Sequence, residues 1–161
     1  MWFLSRPDTA ILLVCSANIC RSPMAAGILR LEFEQRGLQR KIRVDSAGTH
    51  ASQPGRSADS RAQKICRLQG IDLRKCRARQ VTEQDFHHFD HILAMDQRNC
   101  RWLLDNCPEP YRERISLLGA WIPGESSVEI PDPYYGNMSG FEKVFEVLQK
   151  SVHGFVERNI V

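Results

Sequence analysis

Ile11-Leu12-Leu13-Val14-Cys15-Ser16-Ala17-Asn18-Ile19-Cys20-Arg21-Ser22-Pro23 decides how this chain is read. An apolar run of strand length delivers Cys15 into a short turn of small and polar residues that closes on Arg21. Ser22 and Pro23 then read as the N-cap and first residue of a helix. A loop of this size, running over Ser16, Ala17, Asn18, Ile19, Cys20, Arg21 and Ser22, can aim several backbone N–H groups inward. The helix behind it adds the positive end of its dipole. The expected product is an anion cradle with Cys15 at its floor. Such a field favours thiolate over thiol and makes the cysteine a nucleophile near neutral pH. Arg21 carries a planar fork suited to two oxygens of a bound phosphate. Asn18 tolerates the left-handed backbone that a tight cradle demands.

The Cys-x5-Arg spacing alone is weak, because six cysteines and seventeen arginines produce roughly 0.6 such pairs by chance. Its position between a strand and a helix start is what gives it weight. Working outward, short apolar runs alternate with amphipathic stretches, the pattern of a parallel sheet covered by helices on both faces. The expected strands are Thr9 to Val14, Ile42 to Asp45, His91 to Met95 and Arg114 to Leu118, four in parallel. Expected helices run from Pro23 to a stop at Gly37, from Asp59 to Leu68, after Thr82, and after the cap Asp96. Ser139-Gly140-Phe141-Glu142 reads as a capping box, and Phe141, Phe145, Leu148, Val152 and Phe155 form a core-facing stripe on the last helix. In such open α/β sheets ligands sit beyond the carboxyl ends of the strands, where Cys15 falls.

Residues 1–161 suit one domain with a single core, given that 42% of them are apolar. A net charge of +3 is too small to point to nucleic acid. The cysteines Cys15, Cys20, Cys66, Cys76, Cys100 and Cys107 are expected to be reduced thiols of a cytoplasmic protein and not a disulfide framework, since the chain is long and core-rich. The opening Trp2-Phe3 stretch superficially resembles an export signal, but Arg6, Pro7 and Asp8 interrupt it. No run approaches the roughly 18 apolar residues that span a bilayer, so no membrane insertion is expected. His87, His88 and His91 cluster without matched ligand spacing and read as surface, so no metal is expected.

Cys15-x-x-Asn18-x-Cys20-Arg21-Ser22-Pro23 resembles the signature of the low-molecular-weight protein tyrosine phosphatases, of bacterial type. The resemblance continues through Asp45-Ser46-Ala47-Gly48-Thr49, Ala58 to Ala62, Ala78-Arg79-Gln80, Ile92 to Asp96 and Asp132-Pro133-Tyr134-Tyr135-Gly136, in the family's order. It implies a cofactor-free enzyme in which Cys15 forms a phosphocysteine, Arg21 holds the phosphate and stabilises the transition state, and Asp132 is general acid and then base. It also implies substrate walls at Tyr134 and Tyr135, loop support from Asn18, Ser22 and Ser46, and Cys20 as a thiol partner that captures an oxidised Cys15. Taken without the resemblance, Asp132 is indistinguishable from a solvated turn aspartate, Cys20 from an inward-facing filler, and the tyrosines from loop packing. The implied partner is a phosphotyrosine protein, a tyrosine kinase among the conceivable ones, met by a monomer.

Three departures from the family matter. Ala17 stands where many members have glycine, and positive φ there is costly. Ser52 and its neighbours replace an aromatic wall, which leaves the pocket more open on that side. Ala26 and Gln69 stand together where mammalian members often have glutamate and histidine. Two other readings remain. A related arsenate reductase needs two further relay cysteines, and here Asp96 occupies one relay position while only Cys107 echoes the other. A non-catalytic phosphotyrosine-binding protein would lack the nucleophile or the acid. A branch of the family that acts on phosphoarginine carries threonine before the second cysteine, where this chain has Ile19.

Overall fold

The computed structural model describes residues 8–160; the Trp2-Phe3 stretch lies outside them. β1 (Thr9–Cys15) lies between β2 (Ile42–Gly48) and β3 (His91–Ala94), and β4 (Ile115–Leu117) flanks β3. The order is β2-β1-β3-β4, with every pair parallel, and β1 is in register from Thr9 against Ile42 to Cys15 against Gly48. The expected α/β architecture is therefore the one observed. Strand boundaries differ from the expected ones by one residue at β1, which runs on to Cys15 itself, at β3, which stops at Ala94, and at each end of β4, and by three at β2, which continues to Gly48.

The two-residue period of a strand explains how both faces are filled. Ile11, Leu13 and Cys15 face one apolar cluster, with α1 (Arg21–Gln35), α2 (Ser60–Leu68) and α5 (Met138–Asn159). Ala10, Leu12 and Val14 face the other, with α3 (Glu83–His88) and α4 (Gln97–Asn106). Being buried on both sides, β1 reads as a continuous apolar run without alternation. The expected stripe on α5 packs as predicted: Phe141, Leu148, Val152 and Phe155 are fully buried and Phe145 nearly so. Truncating one of these phenylalanines to alanine is worth about 3–5 kcal/mol.

Helix ends follow the expected chemistry in most places. Past α1, Gly37 takes φ 71°, and the N–H groups of Gly37 and Leu38 donate to Glu34 and Phe33 carbonyls, a Schellman stop that only a residue tolerant of the left-handed region makes cheaply. Asp59 caps α2 through the N–H of Arg61, Asp96 caps α4 through that of Asn99, and Thr82 and Asp85 form a reciprocal capping box on α3. Two starts differ from expectation. α1 begins at Arg21 with Cys20 in the cap position and no side-chain cap, because Ser22 is turned inward to Cys15 and Asn18. α5 begins at Met138 with Asn137 as its cap, accepting from Gly140, so Ser139, expected as the cap, is the second residue of the helix. His91 lies on β3, with its ring 5.1 Å edge-on to Phe155, and is not on a helix surface with His87 and His88.

Candidate active site

The turn after β1 is held against the end of β2. The Thr49 N–H donates to the Cys15 carbonyl at 2.9 Å, and that of His50 to the Ser16 carbonyl at 2.8 Å. Gly48 makes this approach possible, since a Cβ there would sit 2.5 Å from the Ser16 carbonyl oxygen. Asn18 is the one non-glycine residue at positive φ among the described residues, at 60°. Its side chain is fully engaged: Nδ2 donates to Ser22 Oγ (2.9 Å) and Ser46 Oγ (3.0 Å), and Oδ1 accepts from the Arg79 N–H (3.0 Å). The turn therefore places its left-handed residue at Asn18, so Ala17 incurs no such strain. Arg79 is itself fixed by Asp45 and Asp85.

Cys15 Sγ receives the Asn18 N–H at 3.3 Å and lies 3.0 Å from Ser22 Oγ. Ser22 Oγ accepts from Asn18, and its single proton has two acceptors in reach, the Ala47 carbonyl at 3.4 Å and the sulfur at 3.0 Å; the shorter contact, to sulfur, is the one that suits a thiolate. Among the described residues no oxygen accepts from the N–H of Ser16, Ala17, Ile19 or Cys20. A run of such donors at a helix start is an anion site by its chemistry.

Arg21 is almost fully buried, yet it is doubly held: Nη1 donates to Asp96 Oδ2 (2.7 Å) and to the Ile130 carbonyl (3.0 Å), and Nη2 lies 3.6 Å from Asp132 Oδ2. Burial opposes its charge, but Cys15, Asp96 and Asp132 outweigh that and keep it protonated more firmly than an ordinary arginine. Asp96 also caps α4. With the Asn99 amide nitrogen facing Asp96 (3.0 Å), Asn99 Oδ1 accepts from Ser16 Oγ at 3.1 Å, so a continuous polar chain runs from Arg21 back to the phosphate turn.

The segment from Ile130 to Gly136 supplies the opposite wall. Ile130 is buried and its N–H donates to the Met95 carbonyl at 2.8 Å, fixing where the segment starts. Asp132 is half exposed, with Oδ1 accepting from the Tyr134 N–H at 3.1 Å. It is thus both a turn-forming aspartate and a wall of the site. Arg61 fixes the far end: paired with Asp59, it donates to the carbonyls of Tyr134 and Gly136, each at 2.9 Å, and lies 4.5 Å over the Phe141 ring. A cavity of about 320 Å³ brings Cys15, Arg21, Asp132, Tyr134 and Tyr135 together. The tyrosine rings meet edge-on at 4.9 Å, and Tyr135 is 95% exposed. Polar residues Ser52, Gln53 and Arg56 also line the cavity.

Cys20 lines the same cavity but is buried, and burial first, then Asp59 and Cys15, pushes its thiol pKa far up, so it stays protonated. Cys66, pushed up to about 12 mainly by burial, is equally unsuited to attack. All six cysteines are unpaired. The grouping of metal-ligand side chains among the described residues, Glu32, His153 and Glu157, lies outside the site and already receives the Arg36 guanidinium.

Sequence reasoning missed three contributors. Asp96 read as a helix cap and as the end of a matching block, Arg61 only as part of a matching block, and Arg56 not at all. A cap beside a buried strand end was the one signal for Asp96; Arg61 carried none, because the carbonyls it holds lie 73 and 75 residues away, and Arg56 carried none, because its place in the cavity depends on loops that only the fold brings together.

A model of the family described as low molecular weight phosphotyrosine protein phosphatase matches residues 10–160. The chicken low molecular weight phosphotyrosine protein phosphatase is 39% identical over 151 residues, which are 92% of this chain and 94% of that one. A putative low molecular weight protein-tyrosine-phosphatase of Synechocystis is 40% identical over 140 residues, 86% of this chain and 88% of that one. Among solved structures, a protein tyrosine phosphatase of Entamoeba histolytica, crystallised with Hepes in its active site, superposes with a TM-score of 0.88 at 36% identity, covering 93% of this chain and 96% of that one.

Proposed function

Because this chain belongs to the low molecular weight phosphotyrosine protein phosphatase family, we propose that it hydrolyses phosphotyrosine on proteins through a phosphocysteine at Cys15. The phosphoryl group enters the turn, its oxygens met by the backbone N–H groups of residues 16–22 and by Arg21. The Cys15 sulfur attacks phosphorus as the bond to the tyrosine oxygen breaks, and Asp132 gives its proton to the departing phenolate. Water then attacks the phosphocysteine and yields its proton to the Asp132 carboxylate. The S–P bond breaks, phosphate leaves, and Cys15 departs as a thiolate received by the Ser22 hydroxyl and the Asn18 N–H. Arg21 and the turn stabilise charge on the equatorial oxygens in both steps.

The observation that carries this reading is the contact of Cys15 Sγ with Ser22 Oγ (3.0 Å) in a cavity that Arg21 and Asp132 also line. Tyr134 and Tyr135 offer a phenyl ring two aromatic faces. Six unpaired cysteines support a reducing, cytoplasmic setting, and no helix among the described residues is long and apolar enough to cross a membrane. We read residues 1–161 as one catalytic domain acting as a monomer, with a tyrosine kinase among the proteins it dephosphorylates. Against arsenate reduction, Cys107, the cysteine that echoes a relay position, packs in the apolar cluster on the sheet face opposite to Cys15.

Four substrates separate the readings: phosphotyrosine, phosphoserine and phosphoarginine peptides, and arsenate. Hydrolysis of phosphotyrosine alone is expected. Cys15→Ser should abolish it while vanadate still binds, and Arg21→Lys should fail because a point charge does not replace the fork. Asp132→Asn should lower turnover by about 10²–10⁴ for a poor leaving group, with KM little changed. Preferred turnover of phosphoarginine, or arsenate reduction by the wild type, would overturn the proposal.

A further inference from the structure

Ser52, Gln53 and Arg56 line the catalytic cavity together with Tyr134 and Tyr135. Arg56 is exposed, but its backbone is bolted down. Its N–H donates to the Gln53 carbonyl (3.2 Å), its carbonyl accepts from Ala78 (2.8 Å), and the preceding Gly55 N–H donates to the Ala78 carbonyl (2.8 Å). Ser57 continues this as an antiparallel bridge to Arg77. The side chain, by contrast, is not committed. Its Nη1 donates to the neutral Gln53 Oε1 at 3.1 Å, and among the described residues no carboxylate lies within ion-pair distance of it. The other two arginines of this region are spoken for, Arg21 by Asp96 and Arg61 by Asp59. A guanidinium fork on a fixed backbone at the mouth of a phosphate site is thus left with most of its donors facing solvent.

A phosphotyrosine that reaches Cys15 occupies the cavity that Tyr134, Tyr135 and Arg56 line, which brings the residues flanking it to the cavity mouth. We propose that Arg56 is a specificity-determining residue that pairs with a carboxylate side chain flanking the phosphotyrosine, so that the enzyme selects acidic phosphotyrosine segments. The inference rests on the phosphotyrosine reading above and names the substrate class within it. Gln53 holds the fork in the meantime through a neutral contact that a carboxylate replaces at little cost. The polar Ser52 in the same cavity leaves room for the flanking residue that an aromatic side chain would occupy. Since the pair forms at an exposed rim, it contributes by steering and by a modest gain in binding, both sensitive to salt.

The test uses phosphotyrosine peptides identical except for Glu, Gln or Lys at the positions on either side of the phosphotyrosine. Wild-type kcat/KM should be about two- to fivefold higher for Glu than for Gln, carried mostly by KM and shrinking as salt rises, the size an exposed ion pair supports. Arg56→Gln should flatten the series, Arg56→Lys should retain part of it, and Arg56→Glu should invert it in favour of Lys. An unchanged Glu preference in Arg56→Glu, or no preference in the wild type, overturns the inference. Turnover of p-nitrophenyl phosphate by the wild type separates the two levels: its absence refutes the phosphatase reading itself, whereas its presence with a flat peptide series refutes only the role of Arg56.

Discussion

Arg61, in the first turn of α2, donates to the carbonyl of Tyr134 at 2.9 Å and so ties that helix to the segment bearing Asp132. Between Ile130 and Tyr134 the segment is anchored only by the buried Pro133, while Asp132 is half exposed. Its geometry depends on a cation held by Asp59 on one side and by the Phe141 ring on the other.

Arg61→Ala is expected to loosen the proposed acid more than the nucleophile. Turnover of poor leaving groups should fall on the order of tenfold to a hundredfold, in line with the cost of a small misplacement. Good leaving groups, which need little protonation, should be affected much less. Steady-state rates across a series of substituted aryl phosphates check this; a uniform loss across the series would assign Arg61 to phosphate binding.

Ser22→Ala removes the hydroxyl 3.0 Å from Cys15 Sγ and leaves the Asn18 amide without that acceptor. A hydrogen bond to a departing thiolate is worth about 1.5–3 kcal/mol, so breakdown of the phosphocysteine should slow by roughly 10- to 100-fold. Rapid-mixing experiments should then show a burst of phenolate equal to the enzyme concentration. Loss of turnover without a burst would place the effect on the first step.

Peroxide should oxidise Cys15 to the sulfenic acid, and Cys20, which lines the same cavity, should then capture it as a disulfide with loss of water. Its raised pKa makes Cys20 a poor independent target, which leaves Cys15 to react first. Activity should return with dithiol in the wild type. In Cys20→Ser a larger fraction should be lost permanently, and phosphate should protect both. Equal recovery of the two proteins, or a bridge from Cys15 to another cysteine on peptide mapping, would refute this.

Arg61 also holds the Asp59 carboxyl below the usual carboxylate range. The folded chain therefore binds that proton less readily than the unfolded one, whose value is about 3.9. The ionised pair contributes stability that is fully present above the unfolded value and is lost as pH falls through the lower folded value. Asp59→Asn should lower the urea midpoint at neutral pH and flatten its decline between about pH 5 and pH 2. Asp72 is lowered to about 2 by Arg74, but it is exposed, so Asp72→Asn should barely move the midpoint.

By itself the sequence determined the parallel α/β sheet, because a strand buried on both faces and amphipathic helices leave short-range patterns, and it located the turn from Cys15 to Ser22, whose residues are consecutive. It also identified the left-handed position, since Asn18 among its neighbours tolerates that backbone best. Where local rules erred, a tertiary contact won: Ser22 gave up the cap of α1 for Cys15 and Asn18, and Asn137 took the cap of α5 from Ser139. Only the folded chain decided that Asp132, 111 residues beyond Arg21, lies 3.6 Å from it and that Asp96, 75 residues beyond, holds the same guanidinium. Those pairings depend on which strand ends and loops the β2-β1-β3-β4 order brings to one edge of the sheet. Charge pairs at such separations leave no periodicity to read, since nothing in the intervening chain must vary with them, and the packing of the sheet alone sets their distance.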